Sequence, residues 1–256
     1  MILVIDEIFQ SLLLALGPFL RASALFYASP VFSARAMPVP VRVLLAAAVA
    51  FLVAPFLEKL GPLDPFTLPG LIVGAQEIVV GAMMGFAISL AFSVLSQAGE
   101  NIALGMGLGF ASINDPNNGL SVPVVAQFYG ILGTLVFLSL GGHGLVIEAL
   151  NASFRTLPQG FDGLNPESFG RLAWWGAEMY GYAVLLALPA VATLLMINLA
   201  FGVVTRTAPQ LNLFAIGFPI MILAGLGIIV ATLPAVIDGF VDVLADVFRL
   251  MEALLL

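Results

Sequence analysis

The chain has 256 residues, of which 61% are hydrophobic and only 9% are charged, and it contains no cysteine. A soluble domain carries about 25% charged residues, so this composition is typical of a membrane protein. The net charge of −7 argues against binding to nucleic acid, which needs a basic surface, and against docking on anionic lipid headgroups. Disulfides, thiol catalysis and thiolate metal sites are excluded.

Charged residues are absent from five long windows, at residues 43–57, 78–99, 116–147, 179–205 and 207–237. With an apolar run near the N-terminus they make about six segments, judged against the roughly 20 residues that span a bilayer. The sequence therefore predicts an all-α membrane protein of about six long, kinked hydrophobic helices in hairpins.

The first predicted helix, residues 8–31, contains one cationic side chain, Arg21. A cation at that depth costs about 3 kcal/mol or more, so Arg21 is expected to face protein or water. Snorkelling from a tilted helix is the alternative. Asp6 and Glu7 stand where a signal peptide carries basic residues, so we expect this helix to be retained.

A proline-rich connector at residues 33–42 is expected to be extended, because a residue before proline avoids helical backbone angles. The second helix is predicted at residues 43–57. The third carries four glycines spaced four, seven and four residues apart, at Gly70, Gly74, Gly81 and Gly85. At 100° per residue they lie within about 60° of one helix face, and Glu77 shares it. This face is predicted to pack closely against protein, with Glu77 hydrogen-bonded there.

The next stretch, residues 99–123, is expected to break the helix. Gly99, Gly105, Gly107 and Gly109 each cost roughly 1 kcal/mol relative to alanine in a helix, and Pro116 lacks a backbone donor. Irregular backbone at membrane depth is tolerated only where protein or water surrounds it. The sequence therefore predicts a central re-entrant or plug-like loop.

The fourth helix is predicted at residues 124–140. The polar region 148–178 is predicted to be an exposed loop, with room for short helices and with Trp174 and Trp175 as interfacial anchors. Helices at 179–204 and 211–237 form a hairpin around a short turn that holds Arg206 and Gln210. The tail from residue 235 is amphipathic, with an acidic face opposite an apolar one.

Catalytic and nucleotide-binding motifs are missing from the sequence, so we expect neither an enzyme nor a cofactor. A secondary transporter or channel is an open alternative. Broken helices, buried Glu77 and Glu100, and Asn198 deep in the fifth helix could form a transport site.

Four blocks in order along the chain carry a resemblance to a known family: LRASALFYASPVFSARAMPVPVR at 20–42, AGENIALGMGLGFASINDP at 98–116, GHGLVIEALNASFRTLPQG at 142–160, and ALPAVATLLMINLAFGVVTRTAPQLNLFAIGFPI at 187–220. In these blocks the chain resembles the FliR/SctT family of type III secretion export-gate proteins, and the resemblance runs over nearly the whole length.

The resemblance implies a structural subunit that assembles with FliP and FliQ, and also with FlhB and FlhA, into the pore for unfolded flagellar proteins. It implies a place among membrane lipid in the bacterial inner membrane, at the flagellar basal body. Residues 1–256 would form one export-gate domain. Residues 1–170 would be FliP-like and include a plug loop at 105–119, and residues 171–256 would be a FliQ-like helical hairpin and tail.

The resemblance assigns the plug residues, whereas the residue pattern itself indicates those that pack between helices or contact a partner. The loop that plugs the closed pore would include Met106, Gly107, Gly109, Phe110, Ile113, Asn114 and Asp115. Helix packing or partner contact is expected at Gly70, Gly74, Glu77, Gly81, Gly85, Arg21, Glu100, Arg206 and Gln210.

Overall fold

A computed structural model describes residues 2–33, 37–55, 63–109, 123–158, 165–207 and 213–255. Helices and turns make up these ranges, and they contain no strand. Seven helices are delimited within them: α1 Ile2–Ala28, α2 Val39–Val53, α3 Leu68–Gly105, α4 Val124–Ser139, α5 Gly142–Thr156, α6 Pro166–Thr207 and α7 Leu213–Leu254.

Four stretches of helix are long and apolar enough to cross a membrane: Phe9–Ala28, Leu68–Gly105, Pro166–Val204 and Gly217–Leu254. Helices α4 and α5, separated by a short break, make a fifth, broken candidate span. These helices have at least the roughly 20 residues that a bilayer crossing needs, and they are apolar. The prediction of an all-α membrane protein is confirmed.

The connector before α2 is more helical than predicted. Helix α2 begins at Val39, directly after Pro38, and holds Pro40 in its first turn. Proline is tolerated there because the first helical N–H groups have no partner within the helix in any case. The expectation of an extended chain up to residue 42 was therefore wrong for the residues from Val39 onward.

In the polar region 148–178 the described residues are largely helical, and they belong to long helices instead of the short ones allowed within the predicted exposed loop. Helix α5 covers its start, and α6 begins at Pro166, a favoured first position for proline. Val146, Leu150 and Phe154 recur every fourth residue and are buried, which makes α5 an amphipathic helix. Its charged residues, Glu148 and Arg155, are exposed, and they lowered the local hydrophobicity without breaking the helix.

The chain divides into two compact units. The first comprises Met1–Leu90, Phe137–Gly176 and Ala245–Leu256, and the second comprises Ala91–Val136 and Ala177–Leu244. Buried side chains of the first unit include Leu25, Phe26, Ile88 and Leu150, and those of the second include Leu95, Ile102, Leu194 and Phe240. The division into FliP-like and FliQ-like parts stays a prediction, and its boundary at residue 170 falls inside α6.

The amphipathic tail is confirmed as part of α7. Phe240, Leu244, Val247 and Met251 are all buried. The charged residues Asp238, Asp242, Arg249 and Glu252 are exposed on the same helix.

Candidate functional site

Helices α1 and α3 bring two opposite charges together inside the first unit. Arg21 Nε donates to Glu77 Oε2 at 2.7 Å, and Arg21 Nη2 donates to Glu77 Oε1 at 2.9 Å. Both side chains are buried, with 1% and 3% of their surface exposed. The fork of the guanidinium matches the two carboxylate oxygens, which is the strongest geometry for such a pair. Arg21 therefore faces protein, and the snorkelling alternative does not apply.

Helix α5 completes the surroundings of Arg21. Nη1 donates to Ser153 Oγ at 2.9 Å, and Nη2 also donates to the carbonyl oxygen of Leu157 at 2.8 Å. The guanidinium carbon lies 4.1 Å from the centre of the Phe154 ring, within the range of a cation–π interaction. Three helices or their ends thus meet at one buried cation, and every nitrogen of its guanidinium has an acceptor.

Two of the predicted glycines allow α3 to approach α1 closely. A methyl group added at Gly81 would overlap the carbonyl oxygen of Arg21, and one added at Gly85 would lie 2.7 Å from Ala28 Cβ. Glycine at these positions lets backbone meet backbone, as in small-residue contacts between membrane helices. This approach carries Glu77, one turn before Gly81, to the guanidinium.

The other two glycines differ from each other. An added methyl group at Gly74 would meet Leu20 Cδ1 at 3.4 Å, an ordinary van der Waals contact. At Gly70 it would overlap the carbonyl oxygen of Asp64, in the turn that precedes α3. The close contact with α1 is therefore made at Gly81 and Gly85.

In the second unit, α3 ends in a Schellman motif. Leu108 N–H donates to the Ala103 carbonyl oxygen and Gly107 N–H donates to that of Leu104, both at 3.0 Å. Gly107 has φ +82°, the left-handed conformation that this motif requires after the last helical residue. The helix therefore continues through Gly99 and Gly105 and stops at a defined point.

Side chains of α6 and α7 surround this helix end. Asn198 Nδ2 donates to the Gly105 carbonyl oxygen at 3.4 Å. Met106 is 1% exposed, and its side chain lies over Gly225 of α7. A cavity of about 270 Å³ adjoins these groups and is lined by Leu104, Gly105, Met106, Gly107, Asn198, Phe201, Gly202, Gly217, Phe218 and Met221.

The remaining predicted residues are scattered. Glu100 is exposed and lies 3.5 Å from Gln97 Nε2, so the expectation that it is buried was wrong. Arg206 is exposed in the last turn of α6, and Gly109 is half-buried. The predicted plug residues Phe110, Ile113, Asn114 and Asp115, and the turn residue Gln210, lie outside the described residues. Roles in a plug or in partner contact stay predictions.

Sequence reasoning missed the residues that α5 supplies to Arg21. Ser153 is fully buried and directly precedes Phe154 on the apolar side of the helix. A hydroxyl among apolar neighbours is a signal for a buried polar partner, since buried polar groups are nearly always hydrogen-bonded. Of the two tryptophans predicted at the membrane interface, Trp174 is 69% exposed, whereas Trp175 is buried.

No group of three or more histidine or carboxylate side chains placed to hold an ion occurs within the ranges described above. Among the described residues, the first unit holds a buried ion pair, and the second holds a capped helix end beside a small cavity.

Comparison with known proteins identifies the family. A family model described as bacterial export proteins, family 1, matches residues 12–247. The flagellar biosynthetic protein FliR of Escherichia coli K12 is 36% identical over 234 residues, which cover 91% of this chain and 89% of that protein.

Two further relatives carry the same name. The protein of Pectobacterium carotovorum is 38% identical over 238 residues, covering 93% of this chain and 91% of the relative. That of Aquifex aeolicus is 33% identical over 251 residues, covering 96% and 94%. These names are those of biosynthetic proteins and not of enzymes. The chain belongs to the bacterial export proteins, family 1, the family of the flagellar biosynthetic protein FliR.

Proposed function

We propose that this chain is a structural subunit of the flagellar type III protein export gate. It assembles with FliP and FliQ subunits, and with FlhA and FlhB, in the bacterial inner membrane at the flagellar basal body. Its glycine-rich segment at residues 106–114 plugs the closed pore, through which unfolded flagellar proteins leave. The observation that carries the proposal is the match to FliR proteins over more than nine-tenths of the chain.

The surface of the second unit supports assembly with other apolar chains. Helix α6 exposes a row of large apolar side chains in the isolated chain: Leu185, Leu188, Leu195, Leu199 and Val203. Such a surface requires lipid or a partner helix, because contiguous apolar patches in water are rare. Partner subunits and membrane lipid can share this face.

The end of α3 supports the plug. The Schellman motif at Gly107 stops a 38-residue helix within an otherwise apolar sequence and directs the chain into the segment assigned to the plug. Apolar side chains on a glycine-rich backbone would obstruct the lumen and exclude ions and small solutes. Export would displace this segment, with energy from other components.

The transporter alternative loses one of its proposed site residues, since Glu100 is exposed. A transporter site normally lies near mid-membrane, where ionisable groups are enclosed by protein. The only ion pair buried within the described ranges, Arg21–Glu77, is fully engaged by packing contacts of the first unit.

Purification from a flagellated bacterium in mild detergent tests the assembly. An export-gate subunit should co-purify with FliP-like and FliQ-like chains. A transporter should instead be isolated alone and should bind or move a small solute. Recovery of a stable, solitary chain that transports a solute would overturn the proposal.

The plug is tested by deleting residues 109–113 and measuring ion conductance of the assembled gate in planar bilayers. The deletion should raise the conductance of the closed gate. A deletion of equal length at residues 159–163 serves as the matched control and should leave it closed. Native conductance of an assembled gate that lacks 109–113 would contradict the plug assignment.

A further inference from the structure

We infer that the cleft between α2 and α5 in the first unit receives a basic side chain, lysine or arginine, from a neighbouring subunit of the assembled gate. This inference rests on the proposed function and adds to it the chemistry of one subunit contact. The shape of the cleft, its polar groups and the apolar surface beside it carry the inference.

The cleft is a space of about 390 Å³ with aliphatic walls. Helix α2 contributes Val49, Leu52 and Val53, and α5 contributes Ile147 and Gly144. A methyl group added at Gly144 would meet no described atom within 4 Å, so this residue leaves the cleft open. The stem of a lysine or arginine side chain is apolar and packs well along such walls.

Two polar side chains of α5, Glu148 and Asn151, also line the cleft. They are three residues apart, so they are neighbours on one face of the helix and can bind the same group. Within the part of the chain that the structure describes, neither side chain makes a hydrogen bond or an ion pair. The carboxylate and the amide carbonyl are acceptors, and they match the several N–H donors of an ammonium or guanidinium group.

The described cations nearest to Glu148 in α5 and in the buried core of the unit do not neutralise it. Arg155, the other charged residue of α5, lies seven residues further on, about 10 Å along the helix axis. Arg21 is bound to Glu77. A subunit that covers this surface would take Glu148 out of water, where a carboxylate without a counter-charge is costly. A basic residue on that subunit removes the cost.

Apolar surface continues from the cleft along α2. Leu44, Phe51 and Leu52 are each more than half exposed, and their spacing places them on one face of the helix. A helix of a neighbouring subunit would cover this strip and the cleft together. The ammonium group of a lipid headgroup is joined by a short stem to a phosphate, which would lie against aliphatic walls and close to the carboxylate of Glu148. The cleft therefore suits a protein side chain better than a lipid headgroup.

Removal of the charge tests the contact. Glu148→Gln keeps the size of the side chain, and it should lower the amount of subunits that co-purify in mild detergent about tenfold, because one member of an enclosed charge pair is lost. The unfolding midpoint of the solitary chain should not change, since Glu148 is exposed there.

Glu252→Gln is the matched control, at an exposed carboxylate of the same unit that lies outside the cleft. Equal recovery of subunits with both variants would overturn the inference. A lower unfolding midpoint for Glu148→Gln in the solitary chain would also overturn it, because the occupant would then belong to the same chain.

Filling the cleft tests its shape independently of its charge. Gly144→Leu adds an apolar side chain where Cβ has free space, so the chain should fold while the yield of co-purified subunits falls. Gly176→Leu is the control in the same unit, since Cβ there also meets no described atom within 4 Å and the residue lies outside the cleft. Equal assembly of the two variants would contradict the inference.

A photo-crosslinking residue in place of Leu52 identifies the occupant. Irradiation of the assembled gate, followed by mass spectrometry, should give an adduct with a subunit segment that contains lysine or arginine. Glu148→Arg alone should lose assembly, and changing the partner's basic residue to glutamate should restore it. An adduct with lipid only, or no rescue by the exchange of charges, would overturn the inference.

These outcomes separate the inference from the proposed function. If the native chain does not co-purify with FliP-like and FliQ-like subunits, the proposed function is wrong. If it does, and if Glu148→Gln and Gly144→Leu assemble as well as the native chain, the proposed function stands and the contact is wrong.

Discussion

Arg21 of α1 and Glu77 of α3 form a two-bond ion pair inside the first unit, with N–O distances of 2.7 and 2.9 Å. The pair is 56 residues apart in sequence, and Ser153 and Leu157 bind the same guanidinium from α5 and its end. Burial of two charges is costly, but the four hydrogen bonds of the guanidinium offset much of that cost. The pair therefore contributes chiefly by specifying which helix faces meet.

Removal of one member of this pair should destabilise the first unit strongly. We expect Glu77→Ala to cost about 3–5 kcal/mol, because Arg21 would remain buried without its counter-charge. The measurement is the midpoint of thermal unfolding of the purified protein in detergent.

The matched control for this prediction removes both charges. Arg21→Met with Glu77→Leu should be markedly more stable than Glu77→Ala, since no unpaired charge remains. Equal destabilisation of the single and double variants would show that the charges are not coupled.

Close packing between α1 and α3 predicts opposite results at two glycines. Gly81→Ala places a methyl group on the backbone of Arg21, which cannot move without shifting α1. Gly74→Ala meets only a side-chain methyl at 3.4 Å and removes the helix penalty of glycine, about 1 kcal/mol. We expect Gly81→Ala to lower the unfolding midpoint and Gly74→Ala to leave it unchanged or raise it. A similar loss at both positions would contradict the contact.

The break between α4 and α5 contains a glycine in the left-handed conformation. Gly141 has φ +70°, and an added methyl group would meet no described atom within 4 Å. Gly141→Val should cost about 1–2 kcal/mol, because L-residues are strained there, whereas Gly141→Asn should cost less. Unfolding midpoints of the two variants, measured side by side, check the order. Equal midpoints would mean that the left-handed conformation is not required.

The end of α7 is held by a side chain from the first turn of α6. Ser168 is 4% exposed, and its hydroxyl donates to the Leu254 carbonyl oxygen at 3.1 Å. Ser168→Ala should cost about 1 kcal/mol. Thr156→Ala, at an exposed hydroxyl that bonds only its own helix, should stay within about 0.5 kcal/mol of native. Proteolysis of the C-terminal end, followed by mass spectrometry, would reveal the loosened helix. Similar proteolysis in both variants would argue against the cap.

Much of the helical architecture could be predicted because it depends on local pattern. The long apolar windows indicated membrane helices, and the spacing of Gly70, Gly74, Gly81 and Gly85 placed them on one face with Glu77. Composition gave a wrong prediction where an amphipathic helix is short and polar on one side, as in α5. The average hydrophobicity of this segment is low, although the buried face of the helix, at Val146, Leu150 and Phe154, is apolar.

The end of α3 illustrates what pattern alone leaves open. The glycines at 105, 107 and 109 predicted a break in the helix but did not indicate which of them would adopt the left-handed conformation. Gly107 adopts the left-handed conformation, while Gly105 stays helical. A methyl group added at Gly105 would lie 3.3 Å from Leu194 Cδ1 of α6. Contacts from distant helices select the stopping point, since each glycine is locally capable of it.

The sequence by itself determined the membrane class, the presence of long apolar helices, the small-residue face of α3, a break of the helix within residues 99–123 and, through its resemblance, the family. Only the tertiary structure decided which residues contact each other: Glu77 with Arg21, next to α5, Gly105 with Asn198, and Met106 with Gly225. The reason is physical. Helix formation and amphipathicity follow from neighbours a few residues apart, whereas the partner of a buried charge or of an unpaired carbonyl is set by helix packing between segments far apart in the chain.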